Sequence, residues 1–221
     1  MGTITRTFAN NITTSGVFKP TAFNNASFDN VTAVPEGVLE GGSMVLLSTQ
    51  TASSSASISF TSGIDSTYKE YMFIFNNIHP STDGGFFAFN LSTDGGSTYA
   101  VTKTSSMFNT QHDESGGSGV LGYEGGYDLA QSTSYQRLVA GGGVGNGSDE
   151  SLSGYLKIFN PSSTTYVKHF IGSTNMYNNF DNCMTQYFAG YGNTTSSINA
   201  VDFKFESGNI DDGTIQMFGI L

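Results

Sequence analysis

An all-β fold is what this chain predicts: an antiparallel two-sheet β-sandwich, jelly-roll-like, with an extended N-terminal arm. Three observations lead there. Ser, Thr, Asn and Gly number 29, 25, 18 and 28 of 221 residues, so turn formers recur along the whole chain. Between them lie short runs built on 18 Phe, 11 Tyr and β-branched residues, which suit a pleated, half-buried surface. Nowhere do apolar residues hold a helical period, and charged residues make up only 12% of the chain, so no segment reads as an amphipathic helix.

Residues 1–43 stand apart. Phe8, Ile12, Phe18, Phe23 and Phe28 are isolated among polar residues that include Asn10, Asn11, Asn24, Asn25 and Asn30. Such a segment buries too little area alone to offset its ordering entropy. The regular spacing of the aromatics favours an anchoring arm that orders along a partner subunit, with those five residues as its contacts. Gly41-Gly42 marks the junction, and residues 44–221 form the sandwich domain.

The strands follow in order. Met44–Leu47 is a short apolar run, and Ile58–Phe60 alternates. Tyr71–Phe75 is continuously apolar, the pattern of a strand buried on both faces. Ser81–Gly85 and Ser92–Gly96 repeat the same five residues around Phe86–Leu91, so this run reads as a strand with an Asp-Gly turn at each end. Residues 111–150 are the most loop-like, interrupted by Tyr135–Val139. Strands resume at Gly154–Phe159 and at Tyr166–Ile171, where Val167, His169 and Ile171 share one face. Val201–Phe205 alternates, and Ile215–Phe218 follows Asp211-Asp212-Gly213, which reads as a hairpin turn. About ten strands joined by Gly-rich connections suit a sandwich of jelly-roll type.

Charge narrows the partners. A net charge of −10 and a pI near 4.4 argue against nucleic acid and against anionic lipid, both of which need clustered Lys and Arg. Cys183 is the only cysteine, which excludes an intrachain disulfide and reads as a small buried residue. The segment Met1–Phe8 has no basic head followed by an apolar run, so it does not read as a secretory signal, and no stretch nears the ~20 apolar residues of a membrane helix. The expectation is synthesis in a cytoplasm, without membrane insertion.

No catalytic constellation emerges, and no enzyme, cofactor or metal is expected. Gly141–Gly147 lacks the third glycine of a dinucleotide fingerprint, because Asn146 and Ser148 stand there, and it lacks a P-loop Lys. His79, His112 and His169 are far apart, and His112-Asp113-Glu114 reads as a solvated loop. Two carboxylate pairs could serve glycoside hydrolysis, Asp211/Asp212 and Asp149/Glu150. Turn chemistry explains the first and solubility the second. Asp83 and Asp94 each offer a single carboxylate, too few for Ca²⁺. Tyr123, Tyr127, Tyr177, Tyr187 and Tyr191 lie in Tyr/Asn-rich surroundings suited to a glycan, with Asn178 and Asn179 beside Tyr177. The competing reading packs these tyrosines between the sheets.

Three stretches carry a resemblance. Met1–Ile12, Gly63–Tyr71 running on to Asn77–Pro80, and Ser207–Ile215 are similar to segments of structural proteins from tailed bacteriophages of marine bacteria and cyanobacteria, tail-fibre or capsid-decorating components. The resemblance implies a virion component contacting other virion proteins, a homo-oligomer of trimeric form, and no activity. Two functions are therefore expected to compete: a displayed structural or cementing protein held by its arm, and a tail-fibre module that binds host surface glycans.

Overall fold

A computed structural model describes residues 44–117 and 119–221. The predicted arm, with Phe8, Ile12, Phe18, Phe23 and Phe28, and its junction at Gly41-Gly42 lie outside the described residues. Among the described residues there are twelve strands and no helix. They are β1 (Met44–Thr51), β2 (Ile58–Phe60), β3 (Glu70–Pro80), β4 (Phe87–Ser92), β5 (Lys103–Asp113), β6 (Val120–Tyr123), β7 (Gln136–Arg137), β8 (Leu152–Phe159), β9 (Lys168–Tyr177), β10 (Asn182–Gly192), β11 (Ala200–Phe205) and β12 (Ile210–Ile220).

The strands form an eight-stranded sheet, β1-β12-β3-β8-β9-β10-β5-β6, and a four-stranded sheet, β2-β11-β4-β7, with antiparallel pairing throughout. The order is that of a jelly roll. β1 pairs β12, β2 pairs β11, β3 pairs β8 and β4 pairs β7. This is one long ribbon whose halves face each other, rolled so that alternate pairs fall in opposite sheets. Two hairpin excursions interrupt the ribbon, β5–β6 after β4 and β9–β10 after β8. Both add to the first sheet beyond β8 and widen it to eight strands.

The core between the sheets is aromatic. Phe203 on β11 has the rings of Phe73 and Phe75 on β3 at 5.3 Å each, Phe60 at 6.2 Å, Phe87 at 6.0 Å and Phe89 at 6.4 Å. Phe73, Phe87, Phe89 and Phe203 are wholly excluded from solvent. Large rings give each short strand much apolar area, which is how a chain only 37% apolar fills a two-layer core.

Beyond the small sheet, the connection from β6 to β8 folds over the inner face of the extra strands. The Thr174 hydroxyl donates to the Leu138 carbonyl at 2.5 Å, and the Asn178 amide donates to the Gly141 carbonyl at 3.0 Å. The glycines at 141–147 serve this path. Gly85 and Val144 exchange backbone hydrogen bonds of 3.1 and 2.9 Å, which joins the segment to the Asp83-Gly84 turn.

Several expectations change. Tyr71–Phe75 is not buried on both faces: Met72 and Ile74 are half-buried on the outer side while Tyr71, Phe73 and Phe75 fill the core. The strand belongs to an antiparallel sandwich, with one face outward. Asp211-Asp212-Gly213 is no hairpin turn but lies inside β12, where register shifts against β3 bulge the ladder. Cys183 is exposed, because its neighbours Asn182 and Met184 take the inward positions on β10.

Candidate functional surface

The feature most unlike ordinary protein surface is the outer face of the eight-stranded sheet. Alternation puts every second residue of each strand on that side, and the register aligns them into rows. One row runs Leu46, Phe218, Met72, Lys157, Ile171 and Ala189 across β1, β12, β3, β8, β9 and β10. The next runs Ile74, Tyr155, Ser173, Tyr187, Phe108 and Tyr123, ending on β6. A third holds Ile220, Glu70 and Phe159.

Many of these side chains are open to solvent: Leu46 is 52% exposed, Phe108 45%, Ile171 45%, Tyr187 44% and Tyr123 65%. Phe108 and Tyr187 stack with centroids 5.1 Å apart. Phe159, Ile171 and Tyr191 rim a shallow hollow of about 560 Å³. The charges within the rows, Glu70 and Lys157, pair at 2.6 Å. So much contiguous apolar surface marks a site of contact.

The opposite side of the molecule differs. Over the small sheet, the Tyr135 hydroxyl donates to Asp202 at 2.8 Å and the Asn90 amide to the carbonyls of Tyr99 and Thr133. Arg137 makes a bidentate pair with Glu206 and lies over the Phe86 ring. That face is already overlaid by the chain's own loops.

The glycan candidates divide. Tyr187 and Tyr191 sit on β10 with side chains on the outer face, and Tyr191 lies edge-on to His169 at 6.2 Å. Tyr177 ends β9 at the rim of that face, where partial burial and the carboxylates of Glu114 and Asp181 push its phenol up to about 12. Asn178 is buried and accepts from the backbone amides of Phe180 and Asn182, so it builds the β9–β10 turn. Asn179 is half-buried in the same turn. The stretch 182–192 is a strand, and it places Tyr187 beside Phe108 and Tyr191 beside Thr104.

Phe108, Tyr155 and Ile171 were not among the sequence candidates, whereas Tyr123 was. The signal for Phe108 was the apolar pair Met107-Phe108 inside a polar run, whose inward and outward members separate only once β5 is known to be a strand.

The two carboxylate pairs do meet. A cleft of about 500 Å³ is lined by His79, Asp149, Glu150, Asp211 and Asp212. Three of the four carboxylates are held locally, however. The Glu150 carboxylate accepts from the Gly147 amide, Asp212 from the Gly213 amide at 2.7 Å, and Asp211 from Ser54. His79 Nε2 donates to the Gly147 carbonyl at 3.1 Å, and its Nδ1 lies 3.8 Å from Asp211. Among the described residues no group of three or more His, Cys, Asp or Glu could hold a metal ion.

Two lysines are buried side by side. Lys103 on β5 and Lys168 on β9 flank Gly192 of β10. The Lys103 amine donates to Asn90 Oδ1 at 2.5 Å and to the Val101 carbonyl at 2.8 Å. Lys168 donates to the carbonyls of Tyr166 and Thr194.

No carboxylate offsets either charge in these bonds, and burial brings Lys103 down from 10.5 to about 7. Between those values the unfolded chain binds the additional proton. Stability is therefore expected to rise with pH from about 7 upward, by on the order of 1 kcal/mol per pH unit. Lys103→Met should flatten most of that rise, with a remainder from Lys168, whose amine burial also lowers. Urea midpoints followed from neutral to alkaline pH check this, and an unchanged slope in the variant would contradict it.

No family model, curated protein or solved structure matches this chain.

Proposed function

We propose that this protein is a structural component of a bacteriophage particle, with residues 1–43 as anchor and residues 44–221 as the displayed domain. The observation that carries the reading is the outer sheet face, which is apolar, aromatic and nearly free of charge. Such a face is suited to lying against protein and offers no group for transforming a small molecule. The jelly roll supports the reading by analogy, since capsid and lectin domains share that architecture. The protein is made in the host cytoplasm and works in the virion, against other virion proteins.

The anchoring role is tested by assembling particles with the full chain or with a chain that begins at Gly42. Incorporation of the shortened chain should fall at least tenfold. Equal incorporation would sink the anchor.

A second reading has its own support. The row Tyr155, Ser173, Tyr187, Phe108, Tyr123 crosses five strands, four of which offer rings to pyranose faces, as a host-glycan receptor module would. Attachment of the purified protein to host cells, lost in Tyr187→Ala, would favour this reading over a purely structural one.

A further inference from the structure

We propose that the outer face of the eight-stranded sheet packs against the same face of a second copy of this chain, making a two-fold dimer. This goes beyond the particle role and does not depend on it. A two-fold contact sets one patch against itself, so any net charge on the patch repels its own copy.

The chain carries −10, yet the charges in the three rows are one Glu70–Lys157 pair held at 2.6 Å. The carboxylates of Asp149, Glu150, Asp211 and Asp212 gather instead in the separate cleft beside His79. The face is thus self-compatible although the molecule as a whole is acidic.

Its size fits as well. The three rows hold six, six and three residues, and at about 4.8 Å between strands and about 6.8 Å between rows they cover roughly 500 Å² per copy. Two copies together reach roughly 1,000 Å², the size at which a specific interface begins. Packed at the ~10 Å spacing of stacked sheets, two such faces would take Leu46, Ile171, Phe108 and Tyr187 out of water.

The apolar row through Leu46, Phe218, Met72 and Ile171 sets this occupant apart from a glycan, which would need hydrogen-bonding groups beside the rings. The cyclic trimer implied by the phage resemblance would join two unlike patches on each copy. One continuous, uniform face suits the two-fold arrangement better.

Sedimentation equilibrium of the full chain tests the proposal. The mass should be twice the 23.4 kDa of one chain. Ile171→Glu, which places a carboxylate at the centre of the face, should weaken association at least a hundredfold. Leu46→Glu, at the far end of the same row, should also weaken it. Both residues are about half exposed, so both variants should keep the wild-type far-UV spectrum and urea midpoint.

A wild-type chain that sediments as a monomer at tens of micromolar, or at a three-chain mass, would overturn the proposal. So would a folded Ile171→Glu dimer as tight as wild type. Two other occupants would also be revealed and would equally refute it. One is the chain's own N-terminal segment, seen as a monomer whose residues 1–43 become protease-sensitive only in Ile171→Glu. The other is an oligosaccharide bound by a monomeric wild type and lost in that variant.

Discussion

Replacing Phe203 with alanine is expected to destabilise the domain by about 3–5 kcal/mol, the range for emptying a fully buried phenylalanine site. The expectation rests on position rather than on size alone. Phe203 lies where both sheets converge, with five phenylalanine rings within 6.4 Å. Edge-on, tilted and stacked contacts of this kind each add about 0.5–1.5 kcal/mol beyond area burial. The surrounding rings are anchored on β2, β3 and β4, so the cavity cannot close by moving one side chain. Because the chain has no tryptophan, urea unfolding is best followed by far-UV circular dichroism and tyrosine fluorescence. A loss below about 1 kcal/mol would mean that the core is not organised around this ring.

The second large effect concerns Gly143. Its φ is +81°, and a Cβ there would stand 2.3 Å from the Gly84 carbonyl oxygen and 2.5 Å from its carbon. The obstacle is backbone, which no rotamer change relieves. Gly143→Ala should therefore break the Gly85–Val144 bridge and cost more than about 3 kcal/mol, combining left-handed strain with overpacking. Gly95 provides the control: its φ is +73°, but nothing lies within 4 Å of an added Cβ. Gly95→Ala should cost only the conformational term, about 1–2 kcal/mol. Equal losses in the two variants would contradict the close packing of residues 141–147 against the Asp83-Gly84 turn.

How much of this was legible in the sequence depends on side-chain chemistry. The all-β class and most central strands could be read because Phe, Tyr, Ile and Val mark them. β4 is a fully buried run between two Asp-Gly turns, and its sequence says so. On β9 the predicted division held, with Lys168 and Phe170 inward and His169 and Ile171 outward.

β5 and β10 were harder, because KTSSMFNTQHD and NCMTQYFAGYG carry few β-branched apolar residues. Their strand character comes from pairing with each other over eleven positions, a long-range fact that local propensity does not hold. The same blindness hid the site. The outer face is assembled from single residues on strands far apart in sequence, such as Leu46, Ile171 and Phe108. No local motif announces a row that exists only after the sheet has formed. The acidic cleft shows the converse: two carboxylate pairs 61 residues apart, from Glu150 to Asp211, meet only through the fold.

The central claim is that this chain is part of a virus particle. Immunogold electron microscopy of purified phage particles, with antibody raised against residues 44–221, tests it most directly. The account predicts gold on the particles: label spread over the head would assign capsid decoration, and label on the tail would assign host attachment through the aromatic row. Absence of label from both intact and disrupted particles, with the protein found only in the unassembled fraction of the lysate, would contradict it.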